Sequence, residues 1–396
     1  MTLLCTVWGC LKNEITCRMN PRILFLLQHP LVYVVYAILL AGGIFYTALQ
    51  SDFLFVTPDS GYYLDEATRL SQAGVISGTL NSGFTYWPIG YPLLIAVVMN
   101  VFYVSALTAS KLVNVFFLLG IFALLRLIYK QQAILYALLF SHALVIILFR
   151  YTWSEPGFIF FELLAFFAAQ QLVTFHSGKA MFLLFLSGAG LLIMRYSGIF
   201  IFPWLLWIII QQWRYNKSVV MKLSVVLCLL LCVEVAYGLR NLALSGLWFG
   251  FNRGKDTNGL GLNLFFLARA MTQQLSFILH AKTTQVWLVA VLIQATLIGL
   301  IWKIVQVKSE LSVRLLHSNI WLSGSLLSLA VVAGLRFFIH FDDFNYRLLL
   351  PGLLPAAVYV LNQLTTKYPL FYARALLVLA AFGLLSLACN FYPYFN

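Results

Sequence analysis

Charge is what this chain has least of. Only 9% of its 396 residues are charged, whereas 62% are hydrophobic. A typical soluble domain has about 25% charged residues, and a chain with far fewer cannot cover its surface with polar groups. The composition therefore excludes a soluble globular protein and indicates an integral membrane protein.

A long run of basic residues is also missing, although the formal net charge is +13, from 25 Lys and Arg against 12 Asp and Glu. Nucleic-acid-binding domains gather their basic residues into one patch or stripe, so this pattern excludes nucleic acid as a partner. In a membrane protein the same excess marks the cytoplasmic loops, which are enriched in Lys and Arg. We therefore interpret the positive charge as a sign of topology.

The cysteines form no disulfide framework. Three lie in the N-terminal tail, Cys5, Cys10 and Cys17, and the other three lie inside apolar runs. The three tail cysteines could instead bind zinc. They lack the C-x-x-C spacing of zinc sites, however, and the first His of the chain is His29. A reduced, cytosolic tail is the favoured interpretation.

The N-terminus does not have the features of a cleaved signal peptide. The first long apolar run, 31–49, can span about 30 Å of hydrocarbon at 1.5 Å per residue, and no small-residue cleavage site follows it. Further apolar runs lie at about 91–107, 108–128, 133–149, 155–174, 180–194, 198–211, 219–239, 285–304, 319–335, 346–363 and 370–390.

Charge placement orients these runs. Lys12, Arg18 and Arg22 precede the first run, which predicts a cytoplasmic N-terminus and an external first loop. The remaining basic clusters are all cytoplasmic only if the apolar length 91–129 crosses once, so we interpret 91–107 as a segment that packs against or dips into the outer leaflet. We thus predict an all-α polytopic protein with about eleven crossings. Its parts are a cytoplasmic tail at 1–30, a transmembrane module at 31–284 with external loops 50–107 and 240–284, and C-terminal helices at 285–396.

The acids gather in the first external loop. Asp59, Asp65 and Glu66 lie in the stretch PDSGYYLDEATRL, and the loop ends at WPIGYP, where two prolines prevent a simple helix start. The aromatic residues of this segment suit the depth of the membrane interface. An acidic, aromatic loop against a membrane wall is a candidate reaction site. We expect Asp65 and Glu66 to cap or orient a loop helix.

Basic residues gather on the same predicted face. The long loop 240–284 begins with an irregular, Gly-rich segment and continues into a predicted amphipathic helix at 262–279. Its charges include Arg240, Arg253, Lys255 and Arg269. Each one alone fits an ordinary snorkelling residue, but four on an external loop oppose the positive-inside bias. An anionic ligand at this face would explain them.

A third polar patch precedes the helix that begins near Arg347. His340 lies beside Asp342 and Asp343, which is compatible with a metal site or with a hydrogen-bonded loop cluster. Arg347 lies at the bilayer edge, where a charged residue usually has a purpose. We expect it to bind a phosphate.

In this order, the segments PDSGYYLDEA, WPIGYPLLIA, RYTWSEP, MRYSGIFIFP, YGLRNLALSG and RLLLPGLLP resemble the GT-C class of integral membrane glycosyltransferases. The similarity is greatest to the bacterial branch of protein mannosyltransferases and lipid A aminoarabinose transferases. It implies transfer of a sugar from a polyprenyl-phosphate donor to a lipid- or glycan-linked acceptor at the external face. We expect a bacterial inner membrane with the site facing the periplasm.

The resemblance implies roles for single residues. Asp59 matches the first acid of the loop motif and would be the general base of an inverting transfer, while Glu155 matches the second acidic position. Glu155 would orient the acceptor or help to hold a divalent metal ion, and no other cofactor is implied. Three arginines fall where the class places basic residues near the donor phosphate: Arg195, Arg240 and Arg347.

The residues support this chemistry independently, because transfer from a phosphate-linked donor needs a base and a positive surround for the leaving group. Candidates for acceptor or sugar binding are Tyr62, Tyr63, Asp65, Tyr86 and Trp87. For the aromatic residues among them, an interfacial belt is the alternative.

A lipid-linked sugar transporter or flippase is the main alternative function. It should carry ionisable residues near the bilayer midplane and paired repeats. Here the polar groups concentrate on one face, with Glu162 and Glu234 as the chief exceptions, and no internal repeat is visible. Another kind of membrane enzyme, such as an oligosaccharide polymerase or ligase, is a further alternative. A non-catalytic scaffold would not need acids and arginines gathered opposite one another.

Overall fold

The computed structural model describes residues 28–50, 55–74, 83–250, 258–275, 319–339 and 344–367, and near the C-terminus 372, 375–381 and 383. Several sequence predictions lie outside these residues. They concern most of the cytoplasmic tail, the apolar run at 285–304, and the side chains of Arg253, Lys255, His340, Asp342 and Asp343.

The described part of the chain is helical and contains no β-strand. Its α-helices are α1 (Pro30–Gln50), α2 (Pro58–Ala73), α3 (Gly90–Phe102), α4 (Ala106–Tyr129), α5 (Ala133–Ala137), α6 (Ala143–Arg150), α7 (Glu155–Phe175), α8 (Gly178–Met194), α9 (Ile201–Gln212), α10 (Lys217–Ser245), α11 (Leu260–Leu275), α12 (Ile320–Phe338) and α13 (Tyr346–Lys367). Short 3₁₀ turns lie at Lys130–Gln132, Leu138–Ser141 and Tyr196–Phe200.

Six of the described helical stretches are long and apolar enough to cross a membrane. They are Pro30–Gln50, Ala106–Ser141, Glu155–Phe175, Lys217–Ser245, Ile320–Phe338 and Tyr346–Thr366. In hydrocarbon every backbone polar group must be bonded internally, which an α-helix achieves within one segment. The chain is therefore an all-α, multi-pass membrane protein, and the number of about eleven crossings stays a prediction.

Several apolar runs take shapes that differ from a simple crossing, including the runs at 91–107 and 133–149. Helix α3 has 13 residues, which is about 20 Å at 1.5 Å per residue and too short to span the hydrocarbon alone. The run 133–149, predicted as one span, is divided by a 3₁₀ turn at Leu138–Ser141 and by an extended His142 that caps α6. Polar residues lie at this break: Ser141 bonds to the Tyr36 hydroxyl, and His142 Nδ1 accepts the Leu144 N–H.

Helix α7 lies at the centre of the bundle. It packs against α4, α8, α12 and α13, and its buried residues lie on all sides, as in a helix enclosed by others. Its N-terminus begins at Glu155 with a proline in the first turn. The fold thus places the first acid of α7 where several other helix ends meet.

The amphipathic helix of the long loop is present as α11. Its Ala270 is buried and packs with Leu349 of α13, whereas Leu262, Leu264 and Phe265 are exposed. An apolar outer face on a helix of a membrane protein is suited to contact with lipid.

Candidate active site

Helix α2 carries Asp59 in its first turn. The helix begins with a capping box in which Thr57 and Ser60 bond reciprocally to each other's backbone N–H, and Pro58 follows the cap. The cap therefore belongs to Thr57 and Ser60, which corrects the capping part of the expectation that Asp65 and Glu66 cap or orient the helix. The N-terminal turn also favours a negative charge at Asp59 through the helix dipole.

Asp65 and Glu66 lie farther along α2. Asp65 is exposed, and Glu66 forms an ion pair with Arg69 at 2.7 Å. Neither residue belongs to the group of charges around Asp59. Asp65 stays a candidate for acceptor binding, and its exposure to solvent is the observation in support.

The turn before α7 is fastened to the start of α2. The Ser60 hydroxyl donates to the Thr152 carbonyl at 3.0 Å, and the Trp153 indole N–H donates to Thr57 Oγ1 at 2.9 Å. A backbone bond from Thr152 N–H to the Phe55 carbonyl at 3.2 Å joins the same two segments. The ends that carry Asp59 and Glu155 are thereby held together, although the two residues are far apart in sequence.

Two polar residues of α4 support this turn from inside the bundle. Lys111 is buried and its Nζ donates to the Arg150 carbonyl at 2.8 Å and to Thr152 Oγ1 at 2.9 Å. The Asn114 amide donates to the carbonyls of Phe149 at 3.1 Å and Tyr151 at 2.7 Å. Sequence reasoning missed both residues, although a Lys and an Asn one turn apart inside an apolar run were an available signal.

Four charged side chains form a continuous chain of ion pairs. Arg347, in the first turn of α13, donates from Nη1 to Asp59 Oδ2 at 2.7 Å and from Nε to Glu155 Oε1. Arg195, directly after α8, donates from Nη1 to the same Glu155 oxygen. The order Asp59, Arg347, Glu155, Arg195 alternates in sign, and we refer to these four residues as the ion chain.

Exposure varies along the ion chain. The Asp59 side chain is 26% exposed, those of Arg347 and Arg195 are 12% and 17% exposed, and Glu155 is fully buried. The second oxygen of Glu155, Oε2, has no hydrogen-bond partner. Glu155 therefore holds the two arginines from the interior of the protein, whereas Asp59 is the residue of the ion chain that is most accessible to a ligand.

Aromatic rings enclose Arg347 and the turn. The Arg347 guanidinium lies 4.4 Å from the centre of the Trp153 ring, and that ring stacks on Tyr151 at 4.1 Å. The Tyr63 hydroxyl lies 3.4 Å from Ser154 Oγ. Burial, together with the nearby charge of Glu155, raises the pKa of Tyr63 to about 12, so its phenol is neutral at physiological pH.

The aromatic residues predicted to bind sugar lie side by side. Tyr62 stacks on Tyr86 at 5.2 Å, and Tyr86 contacts the edge of Trp87 at 6.0 Å. Tyr63 is buried between Trp87 and Tyr91, with ring centres 6.5 and 5.2 Å away. The Tyr63 ring thus has no free face on which a sugar could stack, which corrects that expectation, while Tyr62 and Tyr86 keep partial exposure.

Arg240 lies apart from the ion chain. Its Nη1 donates to the Phe84 carbonyl at 3.3 Å and to Asn241 Oδ1 at 3.1 Å, and its guanidinium lies 5.6 Å from the Tyr237 ring. The structure therefore places it against the backbone of the first loop, because α10 ends beside residues 83–87. Its role at a donor phosphate has no contact in support and stays a prediction.

A metal ion has little room in this arrangement. The two carboxylates, Asp59 and Glu155, are bridged by the Arg347 guanidinium, which occupies the position that a shared cation would need. In the part of the chain that the structure describes, no group of three or more His, Cys, Asp or Glu is placed to hold a metal. The donor set around Glu155 thus suits arginine better than a divalent ion.

No protein-family model, curated protein or solved structure matches this chain. Its chemistry must therefore follow from the ion chain itself. Asp59 is a partly exposed carboxylate able to accept a proton, and Arg347 beside it and Arg195 at the other end of the ion chain have N–H groups able to bind an anion. A base and an anion site next to each other at the end of membrane helices suit transfer of a group from an anionic leaving group.

Proposed function

We propose that this protein is a membrane glycosyltransferase of the GT-C type that moves a sugar from a polyprenyl-phosphate donor to an acceptor hydroxyl. The observation in support is the ion chain, in which Arg347 joins Asp59 to the buried Glu155. The reaction takes place at the external face of a bacterial inner membrane, and the acceptor is lipid- or glycan-linked.

The two arginines bind the donor phosphate. Both donate to a single oxygen of Glu155, so among the described contacts each guanidinium keeps N–H groups for another acceptor. Arginine donors in a planar fork match the oxygens of a phosphate, and their charges stabilise the phosphate as it leaves. Glu155 is then a positioning residue, because it fixes both guanidinium groups while it stays buried.

Asp59 accepts the proton of the acceptor hydroxyl. The acceptor oxygen attacks the anomeric carbon, the bond from that carbon to the phosphate oxygen breaks, and the phosphate leaves with the electron pair. The proton passes to Asp59, and a single displacement of this kind inverts the anomeric centre. Because Arg347 holds Asp59 at 2.7 Å, a donor phosphate that draws Arg347 toward itself also frees the base.

The apolar outer surfaces supply a path for the polyprenyl tail. Val101 and Phe102 at the end of α3 are exposed, and so are Leu264 and Phe265 on α11. Chains of isoprene units bind to such surfaces by apolar contact. The donor therefore approaches from the lipid with its phosphate toward the arginines.

Transfer of a labelled sugar from a panel of synthetic polyprenyl-phosphate sugars, by purified protein in lipid, tests the function. We expect turnover by the wild type and a loss of about 10²–10⁴-fold in Asp59→Asn, the range for removal of a general base. Glu66→Gln is the matched control, since it changes a carboxylate on the same helix that pairs with Arg69 and lies outside the ion chain. Equal activity of both variants would contradict the role of Asp59.

A flippase or transporter for a lipid-linked sugar is the second candidate, and one observation favours it. Glu162 is fully buried within α7, and neither of its carboxyl oxygens has a hydrogen bond of ordinary geometry. Ionisable residues inside membrane helices often belong to transport pathways. If a fluorescent lipid-linked sugar crosses liposome membranes with the wild type but not with Glu162→Gln, and no transfer occurs, this candidate replaces the transferase.

A further inference from the structure

A cavity of about 250 Å³ lies at the end of the helix bundle opposite the ion chain. Gln170 in its wall follows Glu155 by fifteen residues on α7, which is about 22 Å along the helix axis. The ends of α4, α7, α12 and α13 enclose the cavity. Its polar side chains are Gln170, Thr174, Asn319, Tyr359, Asn362 and Gln363, and we call it the carboxamide cavity.

Three of the four carboxamide oxygens of this wall already accept hydrogen bonds from the protein. Gln170 Oε1 accepts the Trp321 indole N–H at 2.7 Å, and Asn319 Oδ1 accepts the backbone N–H of Trp321 at 3.1 Å as the cap of α12. Asn362 Oδ1 accepts the Tyr136 hydroxyl at 3.0 Å. Each of these three amides keeps its NH₂ group, and an NH₂ group can only donate. The three amides therefore offer hydrogen-bond donors to a ligand in the cavity.

Tyr359 adds a polar group without a regular partner. Its side chain is 7% exposed, and its hydroxyl lies near Asn319 but makes no hydrogen bond of ordinary geometry. Buried polar groups are normally bonded, and one that is not calls for a ligand or water. This hydroxyl lies in the wall of the same cavity.

Charge is absent from the described residues that line the cavity, which are amide, hydroxyl, aromatic and aliphatic side chains. A bound ion would find no counter-charge among these side chains, whereas an uncharged ligand needs none. Oxygen-rich groups accept hydrogen bonds from amide NH₂ donors, and aromatic rings such as those of Trp321 and Tyr129 can pack on their C–H faces.

We propose that the carboxamide cavity binds an uncharged polyol, a sugar ring or a glycerol group, whose oxygens accept hydrogen bonds from Gln170, Asn319 and Asn362. The polyol is either a free solute or the headgroup of a membrane lipid. This binding site is separate from the ion chain and does not depend on the proposed transfer reaction.

Trp321 provides the measurement, because its indole N–H is bonded to Gln170 in the wall. Full-length protein is purified in a detergent without hydroxyl groups, and fluorescence is titrated with glucose and with glycerol. In a second arm, vesicles of phosphatidylcholine receive increasing fractions of an uncharged glucosyl-diacylglycerol. The chain has 10 Trp, so the same titrations of Trp321→Phe identify the part of the signal that comes from the cavity.

We expect a saturable signal in one arm, and a dissociation constant about fivefold higher in Asn362→Leu, the effect of one lost hydrogen bond. Gln171→Leu is the matched control, because Gln171 neighbours Gln170 but does not line the cavity. Saturation by the free polyols assigns a soluble ligand, and saturation only in vesicles assigns a lipid headgroup.

Three results would overturn the proposal. They are the lack of a saturable signal in either arm, equal affinity of the wild type and Asn362→Leu, and binding of inorganic phosphate in place of the uncharged probes. Thermal unfolding of each variant shows whether it is folded. If Asn362→Leu does not fold, Gln170→Leu takes its place, with the same expected loss of affinity, because Gln170 is another of the three proposed donors.

Discussion

Arg195 and Arg347 donate to the same carboxylate oxygen of Glu155, although 152 residues separate them in sequence. Glu155 is completely buried, so this single oxygen holds two charged groups that would otherwise repel each other. Arg347 continues from there to Asp59. The geometry of the whole ion chain therefore depends on one buried carboxylate, and the predictions begin with it.

Glu155→Gln should destabilise the protein by about 3–5 kcal/mol, because it removes the buried partner of two ion pairs, which leaves Arg195 without its carboxylate and Arg347 with Asp59 alone. The measurement is the free energy of unfolding in lipid or mild detergent. Glu66→Gln serves as the control. Glu66 pairs with Arg69 one helical turn later, and this pair is partly exposed. Exposed ion pairs on a helix contribute less than about 1 kcal/mol to stability. Equal losses in both variants would show that Glu155 is not the anchor.

Arg347→Lys should weaken binding of a polyprenyl-phosphate sugar by at least about tenfold while the fold is retained. Lysine keeps the charge but presents one ammonium group, which cannot bond to Asp59, Glu155 and a phosphate in one plane. The dissociation constant of the donor checks this directly. Arg69→Lys, on the surface of α2, should leave that constant unchanged, and an unchanged constant in Arg347→Lys would remove this residue from the phosphate site.

Lys111→Met should lower the free energy of unfolding by about 2–4 kcal/mol, because the Arg150 carbonyl and the Thr152 hydroxyl lose their buried donor. The turn that leads to Glu155 would also loosen, so we expect the maximal rate of transfer to fall more than the Michaelis constant for the donor changes. Lys130→Met, at the exposed end of the same helix, is the comparison. A stable and fully active Lys111→Met protein would contradict the positioning role.

Tyr63→Phe should change how stability depends on alkaline pH. The folded pKa of Tyr63 is raised to about 12 from its ordinary value of 10.0 by burial, so the unfolded chain releases this proton first. Stability must then fall as pH rises from 10 to 12, by at most about 1.4 kcal/mol per pH unit from this group. Denaturant titrations should show a shallower fall in Tyr63→Phe than in the wild type. Parallel curves would mean that the Tyr63 phenol ionises freely.

Much of the candidate site could be predicted from the sequence because its residues lie where apolar runs end. Asp59, Glu155, Arg195 and Arg347 were all identified as charges at one membrane face, and the structure joins these four. Arg240 fitted the same pattern equally well, yet it bonds to the loop near Phe84. The end of an apolar run shows how deep a charged residue lies in the membrane, but not to which side of its helix the side chain points. The sequence therefore could not separate Arg240 from the four residues of the ion chain.

The residues that were missed are those whose function is to hold other residues. Lys111 and Asn114 lie inside an apolar run, and their partners are backbone carbonyls about 40 positions later. The carboxamide cavity could not be predicted for a similar reason, because Gln170, Asn319 and Asn362 belong to three different helices or their caps and meet only in the folded protein. Carbonyl partners leave no trace in sequence, because every residue has one.

The sequence by itself determined the class of protein. So few charges and so many long apolar runs allow only a structure whose backbone bonds are internal to each segment, and in a chain without alternating strands that structure is a set of helices. It also determined which charges could lie at a membrane face. Only the tertiary structure decided that Asp59 meets Arg347 across 288 positions, because that contact depends on how the ends of α2, α7 and α13 pack, and helix packing is set by side-chain shape rather than by hydropathy.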